Sequence, residues 1–310
     1  MKKTIMITGA LGHIGSKLIR YLPKHLNADL ILVDNFESQR FCSLYNLPAR
    51  KNFQFYNEDI NKLDFKKIKK KIDIIIHLAA LTDATKSLKN KKKYLQNNLG
   101  ITKKILQLCK LKKSKLIYIS STSIYGSQNK IVDESCNKDE LKPQSPYAIS
   151  KFKEEKLIKL FNNNYGVRSV ILRFGTIFGV SEGMRFHTAV NKFCFQASIG
   201  EPLTVWKTAL NQKRPYLDLI DGVRSILFCI NKDLFDGEIY NVLTHNLTVK
   251  KIVNEIKKTY PRQKVIFVNS PIMNQLSYEV LADKLKKKNF HYVGNISKSI
   301  KKTLDLIKIK

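Results

Sequence analysis

The sequence has few acidic residues, few cysteines and no long apolar run. No segment approaches the roughly 20 consecutive apolar residues that a membrane-spanning helix requires, which argues against an integral membrane protein. The chain begins Met1-Lys2-Lys3 and then enters a short apolar segment. A signal peptide has a longer apolar region and a small-residue cleavage site. We therefore expect a cytoplasmic protein without a membrane partner.

Cysteine is scarce and scattered, and occurs at Cys42, Cys109, Cys136, Cys194 and Cys229. The number is odd, and no pair shows the Cys-x-x-Cys or Cys/His spacing of a zinc site. These observations argue against a disulfide framework and against a bound metal. We expect most of these side chains to be buried, reduced thiols.

Acidic residues number 25 against 56 lysines and arginines, so the formal net charge is +31. Such a charge can indicate nucleic-acid binding. The lysines, however, fall in short runs spread along the chain, and no zinc finger or RNP-like aromatic strand accompanies them. We interpret the charge as a solvated, lysine-rich surface that also attracts anionic ligands such as nucleotide diphosphates, and we expect no nucleic-acid partner.

Apolar runs alternate with helical patterns through the first half of the chain. Predicted strands cover Lys3–Thr8, Leu30–Asp34, Phe53–Tyr56, Ile72–His77, Lys115–Ser120 and Ser169–Arg173. Predicted helices cover Ile14–Leu22, Tyr94–Lys110 and Tyr147–Phe161. The strands are nearly continuous apolar runs, which is typical of strands buried on both faces of a parallel sheet. Their alternation with helices predicts a doubly wound α/β fold.

The second half of the chain is less regular. It predicts a strand end and a helix over Asp218–Asn231, and an amphipathic helix over Leu247–Tyr260 with Thr248 as its N-cap. Two short helices are predicted at Glu279–Lys288 and Ser297–Ile307. Since neither an internal repeat nor a low-complexity linker separates the two halves, we predict a second lobe that is interleaved with the first.

A glycine-rich element, Gly9–Gly15, lies between the first strand and the first helix. Its G-x-x-G-x-x-G spacing permits a tight turn and a close backbone approach to a pyrophosphate, which free N–H groups and the helix dipole then hold. Asp34 ends the second strand about 20 residues later, where a carboxylate accepts hydrogen bonds from ribose hydroxyls and repels a 2′-phosphate. An ordinary turn at Asp34-Asn35 is the alternative. We predict NAD, rather than NADP, as the cofactor.

The third strand is followed by Asp59 and Ile60, a pair that would suit the amino group and ring of adenine. A surface loop acid is a serious alternative for Asp59. We assign the NAD-binding domain to residues 1–175, with a returning segment at about 215–245. The substrate-binding lobe is assigned to residues 176–214 and 246–310.

Tyr147 and Lys151 stand four residues apart in a predicted helix, so both lie on one helix face. A free phenol is a poor base at neutral pH because its pKa is about 10. A neighbouring ammonium and a positive nicotinamide favour the phenolate, which can then remove a proton from a sugar hydroxyl as hydride leaves the carbon. The ammonium can also hold the nicotinamide ribose. A pair at this spacing also occurs by chance in many helices.

The hydroxyl segment Ser120–Ser123 lies at the carboxyl end of the fifth strand, where ligands bind in open α/β sheets. A hydroxyl there can hydrogen-bond the reacting oxygen and share its proton with the tyrosine. A loop that caps its own backbone is the alternative. The glycine-rich turn, Asp34, this segment and the Tyr-x-x-x-Lys pair would rarely coincide in this order by chance.

Several motifs occur together along the chain: TGALGHIGSKL (Thr8–Leu18), VDN (Val33–Asn35), HLAA (His77–Ala80), Asn97 with Gly100, ISSTSIYG (Ile119–Gly126), SPYAISK (Ser145–Lys151), LRFGTIFG (Leu172–Gly179) and KRPYLDLIDG (Lys213–Gly222). Through them the chain resembles the extended short-chain dehydrogenase/reductase family, in its NAD-dependent epimerase/dehydratase group. The resemblance implies a Rossmann-type doubly wound parallel sheet with a smaller, interleaved C-terminal substrate lobe. It also implies NAD as cofactor, a nucleotide-diphosphate sugar as substrate, and a homodimer formed through the helices at Tyr94–Lys110 and Tyr147–Phe161.

The resemblance assigns roles to individual residues, with Ser121, Tyr147 and Lys151 at the catalytic positions. The implied cofactor-binding residues are Gly9, Gly12, His13, Ile14, Gly15, Asp34, Asn35, Asp59, Ile60, Leu78, Ala79, Ala80, Asn97, Tyr147 and Lys151. The implied substrate-binding residues are Thr82, Ser121, Thr122, Ser123, Thr176, Asn191, Arg214 and Gln275. Arg214 resembles the arginine that grips the nucleotide diphosphate, and a surface salt bridge is its alternative role.

The chain departs from the family pattern near the substrate. Members that dehydrate or decarboxylate carry acidic residues directly after the catalytic hydroxyl, where this chain has Thr122 and Ser123. Thr176 replaces the usual asparagine, and the usual late arginine with Gly-Asp is missing, so Asn274–Tyr278 is the candidate replacement. These departures argue against a 4,6-dehydratase and against a decarboxylase of that type.

We therefore expect an NAD-dependent nucleotide-sugar epimerase that acts through a transient 4-keto intermediate. The same residues would serve net oxidation or reduction at C4, for example on a nucleotide-linked heptose or deoxysugar, and the sequence leaves both reactions open. A third possibility is a non-catalytic NAD-sensing or nucleic-acid-binding protein on the same fold. That reading predicts the loss of Tyr147 or Lys151, and both are present.

Overall fold

The computed structural model describes residues 2–48, 53–128, 131–269 and 277–308. The strands, in chain order, are β1 (Lys3–Thr8), β2 (Ala28–Asp34), β3 (Phe53–Asn57), β4 (Ile74–His77), β5 (Lys115–Ser121), β6 (Ser169–Phe174), β7 (Thr176–Phe178), β8 (Leu203–Trp206), β9 (Lys213–Asp218), β10 (Ile239–Val242), β11 (His245–Thr248) and β12 (Val265–Val268). The α-helices are α1 (His13–His25), α2 (Ala84–Lys89), α3 (Lys91–Lys112), α4 (Pro146–Tyr165), α5 (Ala189–Ser198), α6 (Leu219–Asn231), α7 (Val249–Thr259), α8 (Asp283–Lys286) and α9 (Ile296–Ile307). Within these described ranges, no helix combines the length and apolar character that crossing a membrane requires.

Seven strands form one parallel sheet in the order β10-β6-β5-β4-β1-β2-β3. Their apolar side chains are closed to solvent, as at Ile5, Ile76 and Ile117, because separate hydrophobic clusters cover both faces of the sheet. The strand order reverses at β1, which has β2 on one side and β4 on the other. Ligands bind outside the strand carboxyl ends at such a switch point. The predicted doubly wound α/β fold is confirmed.

The smaller lobe contains two small sheets and the helices α5, α7 and α9. One sheet has the order β11-β9-β7, and the other pairs β12 with β8. Their shared core includes Leu203, Ile252 and Ile300, which are buried. The chain returns from this lobe through α6 and β10, and β10 pairs with β6 in the main sheet. The two parts of the molecule are therefore interleaved, as expected.

Two buried carboxylates at the start of α6 hold the end of the chain in place. Asp218 accepts a hydrogen bond from Ser299 Oγ at 2.5 Å. Asp221 accepts hydrogen bonds from the N–H groups of Val293 at 2.8 Å and Gly294 at 3.1 Å. Because α6 also packs against α1, these contacts attach the C-terminal segment to the main sheet.

The predicted helix over Glu279–Lys288 is wrong, since only Asp283–Lys286 is helical there. Val132 N donates to Glu279 O at 3.0 Å, and Leu281 N donates to Val132 O at 2.9 Å. Extended pairing with a distant segment thus overrides the local helical pattern. The helix predicted with Thr248 as its N-cap is present, and Thr248 Oγ1 accepts a hydrogen bond from the first turn of α7.

Candidate active site

A cleft with a volume of about 900 Å³ opens at the carboxyl edge of the main sheet. One wall carries the glycine-rich turn and the residues that follow β2, β3 and β4. The opposite wall carries the hydroxyl segment after β5, the start of α4 and side chains from the smaller lobe. The structure therefore brings most of the predicted cofactor and substrate residues to one place.

The segment Gly9–Gly15 forms the turn between β1 and α1, with Gly12 at the N-cap of the helix. Gly9 has a φ of +65°, which favours glycine. A Cβ on Gly9 would lie 2.7 Å from Ala79 N, and a Cβ on Gly15 would lie 2.5 Å from Ala10 O. Because Gly12 carries no capping side chain, the N–H groups at the start of α1 can receive a phosphate.

Asp34 lies at the end of β2 and holds the same turn. Its Oδ2 accepts a hydrogen bond from Leu11 N, and its Oδ1 accepts one from Phe36 N, both at 3.0 Å. Burial raises the pKa of Asp34, and these backbone hydrogen bonds oppose the shift. The carboxylate also lines the cleft, so its position suits the predicted contact with ribose hydroxyls.

His13 is buried at the first position of α1, and its Nε2 lies 2.7 Å from Gly179 O. A carbonyl oxygen only accepts, so Nε2 carries the proton and Nδ1 is a bare acceptor. Burial lowers the pKa of His13 to about 3, which keeps the ring neutral. Nδ1 has no hydrogen-bond partner among the described residues.

A loop of the smaller lobe lies directly on the phosphate turn. Ser181 Oγ donates to His13 O at 2.8 Å, and Gly183 N donates to Ser16 Oγ at 2.9 Å. A Cβ on Gly183 would lie only 2.3 Å from Leu11 O. The substrate lobe and the cofactor turn are therefore in backbone contact at this point.

Tyr147 and Lys151 lie one turn apart on α4, whose N-cap is Ser145. Tyr147 is half-buried and lines the cleft. Lys151 also lines the cleft but is only 4% exposed. Its Nζ donates to Tyr118 Oη and to Ile119 O, both at 3.0 Å. An ammonium has three N–H donors, so one remains for a ligand in the cleft.

The hydroxyl segment at the end of β5 lies on the same wall of the cleft, in contact with α4. Ser121 Oγ accepts hydrogen bonds from Ser123 N at 3.2 Å and from Ser123 Oγ at 2.9 Å. Its own proton can therefore be donated to a ligand oxygen. Thr122 Oγ1 donates to Phe174 O at 3.3 Å and lies 3.5 Å from Tyr278 Oη.

The other predicted cofactor residues also line the cleft: Ile14, Asn35, Asp59, Ile60, Leu78, Ala79, Ala80 and Asn97. On the substrate side, the cleft is lined by Thr82, Ser123, Thr176 and Arg214. Arg214 Nη2 donates to Gln212 Oε1 at 3.2 Å. Gln275 lies outside the described residues.

Asn191 lies beneath the cleft and does not line it. Its side chain is fully buried, accepts a hydrogen bond from Gly179 N at 3.2 Å and donates one to Arg185 O at 3.1 Å. It therefore holds both ends of the loop that contacts the phosphate turn. Its direct contact with substrate stays a prediction.

Arg185 lines the cleft, although no motif marks it in the sequence. Its Nη1 donates to Thr82 Oγ1 at 2.6 Å, whereas its buried Nε has no hydrogen-bond partner among the described residues. Burial lowers the pKa of Arg185, and the nearby Tyr147 phenol opposes the shift. Arg185 lies in an irregular loop without periodicity, so sequence reasoning has no signal for it. Tyr278, from the segment proposed to replace the late arginine, also lines the cleft.

The arrangement places a serine hydroxyl, a phenol and an ammonium along one cleft, next to a turn built for a pyrophosphate. Such groups can take a proton from a carbinol while its carbon gives up hydride. Bound NAD would supply the hydride acceptor. Gly9–Gly15, Asp34 and Lys151 are the residues that would hold it.

Comparison with known proteins agrees with this geometry. The profile of the "NAD dependent epimerase/dehydratase family" matches residues 5–242. A UDP-glucose epimerase of Bacillus subtilis (strain 168), itself uncharacterized, is 29% identical over 93% of this chain and 92% of the relative.

Two solved structures resemble the fold over 98% of both chains with 26% identity. One is a UDP-glucuronic acid 4-epimerase from Bacillus cereus in complex with UDP-glucuronic acid and NAD, with a TM-score of 0.90. The other is a UDP-N-acetylglucosamine 4-epimerase from Methanobrevibacter ruminantium M1 in complex with UDP-N-acetylmuramic acid, with a TM-score of 0.88.

The family match covers most of the chain and includes the glycine-rich turn, the hydroxyl segment and the Tyr-x-x-x-Lys pair. It bears out the resemblance in the motifs and confirms NAD as the cofactor. With fold, site and comparison in agreement, the chain belongs to the NAD-dependent epimerase/dehydratase family.

Proposed function

We propose that the protein is an NAD-dependent 4-epimerase whose substrate is a nucleotide-linked sugar with a carboxylate at C6. Tyr147 is placed to take the proton of the C4 hydroxyl and to return it to the C4 oxygen after the keto sugar has turned over. Ser121 donates a hydrogen bond to the C4 oxygen. Bound NAD would accept the C4 hydride and give it back to the opposite face of C4.

The distribution of acids in the cleft favours epimerisation over dehydration. The lining carboxylates of the described residues are Asp34, Glu37, Glu58, Asp59 and Asp83, which all follow β2, β3 or β4. The segments after β5 and β6 present hydroxyl groups instead, at Ser121, Thr122 and Thr176. Elimination of water from the sugar requires an additional acid/base pair near the ring. This wall of the cleft offers no carboxylate for such a pair within the described residues.

The choice of sugar rests on the buried guanidinium of Arg185. Its guanidinium is buried in the cleft wall and lacks a hydrogen-bond partner at Nε within the described residues, and the nearby Asp83 carboxylate compensates only part of the effect of burial. A buried cation is costly unless an anion pairs with it. Because Arg185 and Tyr147 line the same cleft, this cation is placed to meet a sugar bound at Tyr147. A planar carboxylate there matches the guanidinium fork, and the UDP-glucuronic acid complex of the similar Bacillus cereus enzyme supports this choice.

The test is a turnover assay of purified protein on UDP-glucuronic acid, UDP-glucose and UDP-N-acetylglucosamine, with the C4 epimers identified by mass spectrometry after chromatography. We expect the uronic acid to be the preferred substrate. Arg185→Met should raise the KM for it by about 100-fold, since a hydrogen bond to a charged group contributes about 1.5–3 kcal/mol, while the neutral sugars change little. Arg214→Met is the matched control and should weaken the binding of all three nucleotide sugars alike.

Better turnover of the neutral sugars by the wild-type protein would contradict the proposed substrate. Loss of bound NAD from Arg185→Met would instead place this guanidinium at the cofactor. Stoichiometric NADH together with a released keto sugar would identify a 4-dehydrogenase, the alternative reaction of the same residues.

We also infer a homodimer formed through the outer faces of α3 and α4, in the cytoplasm, without a nucleic-acid or membrane partner. These two helices pack side by side and leave Leu160 exposed and Leu95, Leu99 and Phe152 partly exposed. Light scattering after size-exclusion chromatography should give twice the chain mass of 35.8 kDa. Leu160→Lys should shift the equilibrium toward the monomer.

A further inference from the structure

Glu154 is a fully buried carboxylate close to Lys151, and the proposed reaction gives it no role. Its exposure is 0%, and its Oε2 lies 3.8 Å from Lys151 Nζ. Oε2 makes no hydrogen bond of ordinary geometry within the described residues, although the neighbouring Tyr118 hydroxyl interacts with this carboxylate. Leaving a buried charge without compensation is strongly unfavourable, so the position of Glu154 beside this ammonium requires a physical reason.

A chain of hydrogen bonds leads to the other oxygen of Glu154. Thr102 Oγ1 lies 2.5 Å from Glu154 Oε1 and 3.1 Å from His77 Nε2, and His77 Nδ1 lies 2.7 Å from Thr8 Oγ1. A carboxylate only accepts, so the Thr102 proton points to Glu154 and the proton on His77 Nε2 points to Thr102. Nδ1 is then the bare nitrogen and accepts the Thr8 proton. Burial lowers the pKa of His77 to about 3, so the ring is neutral.

Every donor in this series of hydrogen bonds points toward Glu154. At its far end, Thr8 Oγ1 accepts hydrogen bonds from Leu78 N at 3.2 Å and Ala79 N at 3.3 Å, both in the cofactor wall of the cleft. Each donor in such a series of hydrogen bonds polarises the next, and the series ends on the Glu154 carboxylate.

We propose that Glu154 is a positioning residue: its carboxylate is the buried counter-ion that holds the Lys151 ammonium in place below the cleft. Tyr118 Oη and Ile119 O accept two of the three ammonium protons, and attraction to Glu154 restrains the group from a third side. Burial, followed by the charge of Glu154, raises the pKa of Tyr118 well above its ordinary value. Tyr118 thus stays a neutral phenol that can accept from Lys151. The catalytic part of this inference rests on the proposed function, whereas the charge pairing does not.

The next residue along α4 supplies a matched control. Glu155 is also buried, but Arg173 donates to both of its oxygens, at 2.9 Å and 2.7 Å. Ser120 Oγ adds a third hydrogen bond at 2.6 Å. Glu155 is thus fully paired without Lys151, although it lies one residue from Glu154.

The first test is a cycle of unfolding measurements on the full chain. Glu154→Gln and Lys151→Met each leave one buried charge alone, whereas the double variant removes both. We expect the double variant to have a higher urea midpoint than Glu154→Gln alone. If Glu154→Gln yields no folded protein, folded protein recovered from the double variant is the equivalent result. In the control pair, combining Lys151→Met with Glu155→Gln should lower the stability against urea by the sum of the two single effects, without any recovery.

A double variant at Glu154 and Lys151 that is as unstable as the sum of its single changes would overturn the pairing.

The second test is kinetic: Glu154→Gln should lower kcat about tenfold or more while KM changes less than about twofold, because the ammonium moves but the binding wall remains. Unchanged kcat in a folded Glu154→Gln protein would overturn the positioning role. The unfolding cycle does not depend on activity, so a wild-type protein without epimerase activity would reject the proposed function and leave the charge pairing standing.

Discussion

The cofactor wall of the cleft is built from short contiguous segments at strand ends, whereas the substrate wall collects single side chains from distant segments. Gly9–Gly15, Asp34 and Leu78–Ala80 each follow directly from a strand of the main sheet. The substrate wall instead combines the end of β5 and the start of α4 with side chains such as Arg185 and Arg214. The first wall acts through backbone geometry, and the second acts through side-chain charge.

The two walls also differ in how their polar groups are satisfied. Asp34 already accepts two backbone hydrogen bonds before any ligand binds. Arg185 retains a buried N–H without a partner among the described residues. The cofactor wall is therefore preorganised by the fold, whereas the substrate wall keeps a buried cation that, under the proposed function, pairs with the sugar carboxylate.

Tyr147→Phe should produce the largest effect and should separate the two walls. The change removes one hydroxyl and keeps the ring, so NAD stays bound while proton transfer is lost. We expect kcat to fall by about 10³-fold or more, near the upper part of the range for a general acid/base. Turnover assays and the absorbance of bound dinucleotide measure the two properties separately. Full activity in this variant would reject the assigned mechanism.

Acid should destabilise the cofactor wall through His77, which is buried and neutral with a pKa of about 3. The ordinary pKa of histidine is about 6.5, so the unfolded chain binds a proton between these values and the native state does not. The free energy of unfolding therefore falls as pH decreases below about 6.5, by about 1.4 kcal/mol per pH unit for this group.

Urea unfolding of the wild-type protein and His77→Gln between pH 7 and pH 4.5 checks this expectation. In the variant, the slope of the free energy of unfolding against pH should be smaller by about one bound proton. Over two pH units this difference amounts to about 3 kcal/mol. The difference between the two slopes isolates His77 from the carboxylates that also titrate in this range. Identical slopes would show that His77 is charged in the native state.

Gly183→Ala should damage both walls at once, because Gly183 lies where they touch. A Cβ at this position would lie 2.3 Å from Leu11 O and 2.7 Å from Gly12 O. We expect NAD occupancy and turnover each to fall about tenfold, since the phosphate turn and the Arg185 loop must separate. Gly100→Ala in α3 is the control, because its nearest neighbour at 3.2 Å is the side-chain oxygen of Asn61. Normal NAD occupancy in Gly183→Ala would mean that the walls are not coupled.

Asp34→Asn should have the smallest effect and should confine it to the cofactor wall. The amide keeps one acceptor oxygen but removes the charge that repels a 2′-phosphate. We expect the affinity ratio of NADP to NAD to rise about tenfold, with kcat on the sugar nearly unchanged. Calorimetric titration with both dinucleotides measures the ratio, and Asp59→Asn should leave it as it is. An unchanged ratio in Asp34→Asn would assign cofactor choice to another residue.

The sequence predicts the fold and the site correctly where function follows from local backbone geometry. The strand predicted at Lys3–Thr8 is present with the same limits, and the predicted residues of the glycine-rich turn line the cleft. It was wrong at Glu279–Lys288, where a helical pattern lies in extended backbone hydrogen-bonded to Val132. Local preference is worth only tenths of a kcal/mol per residue, so pairing with a distant segment can override it.

Apolar runs and glycine spacing act over short stretches of chain, so the buried sheet, the glycine-rich turn and NAD as cofactor can be predicted from the sequence. The positions of Arg185 in the cleft, of Asn191 beneath it and of Glu154 beside Lys151 follow only from the folded structure. The energy of a charge depends on its burial and its partners. Those partners come from segments far apart in the chain, and no local pattern records them.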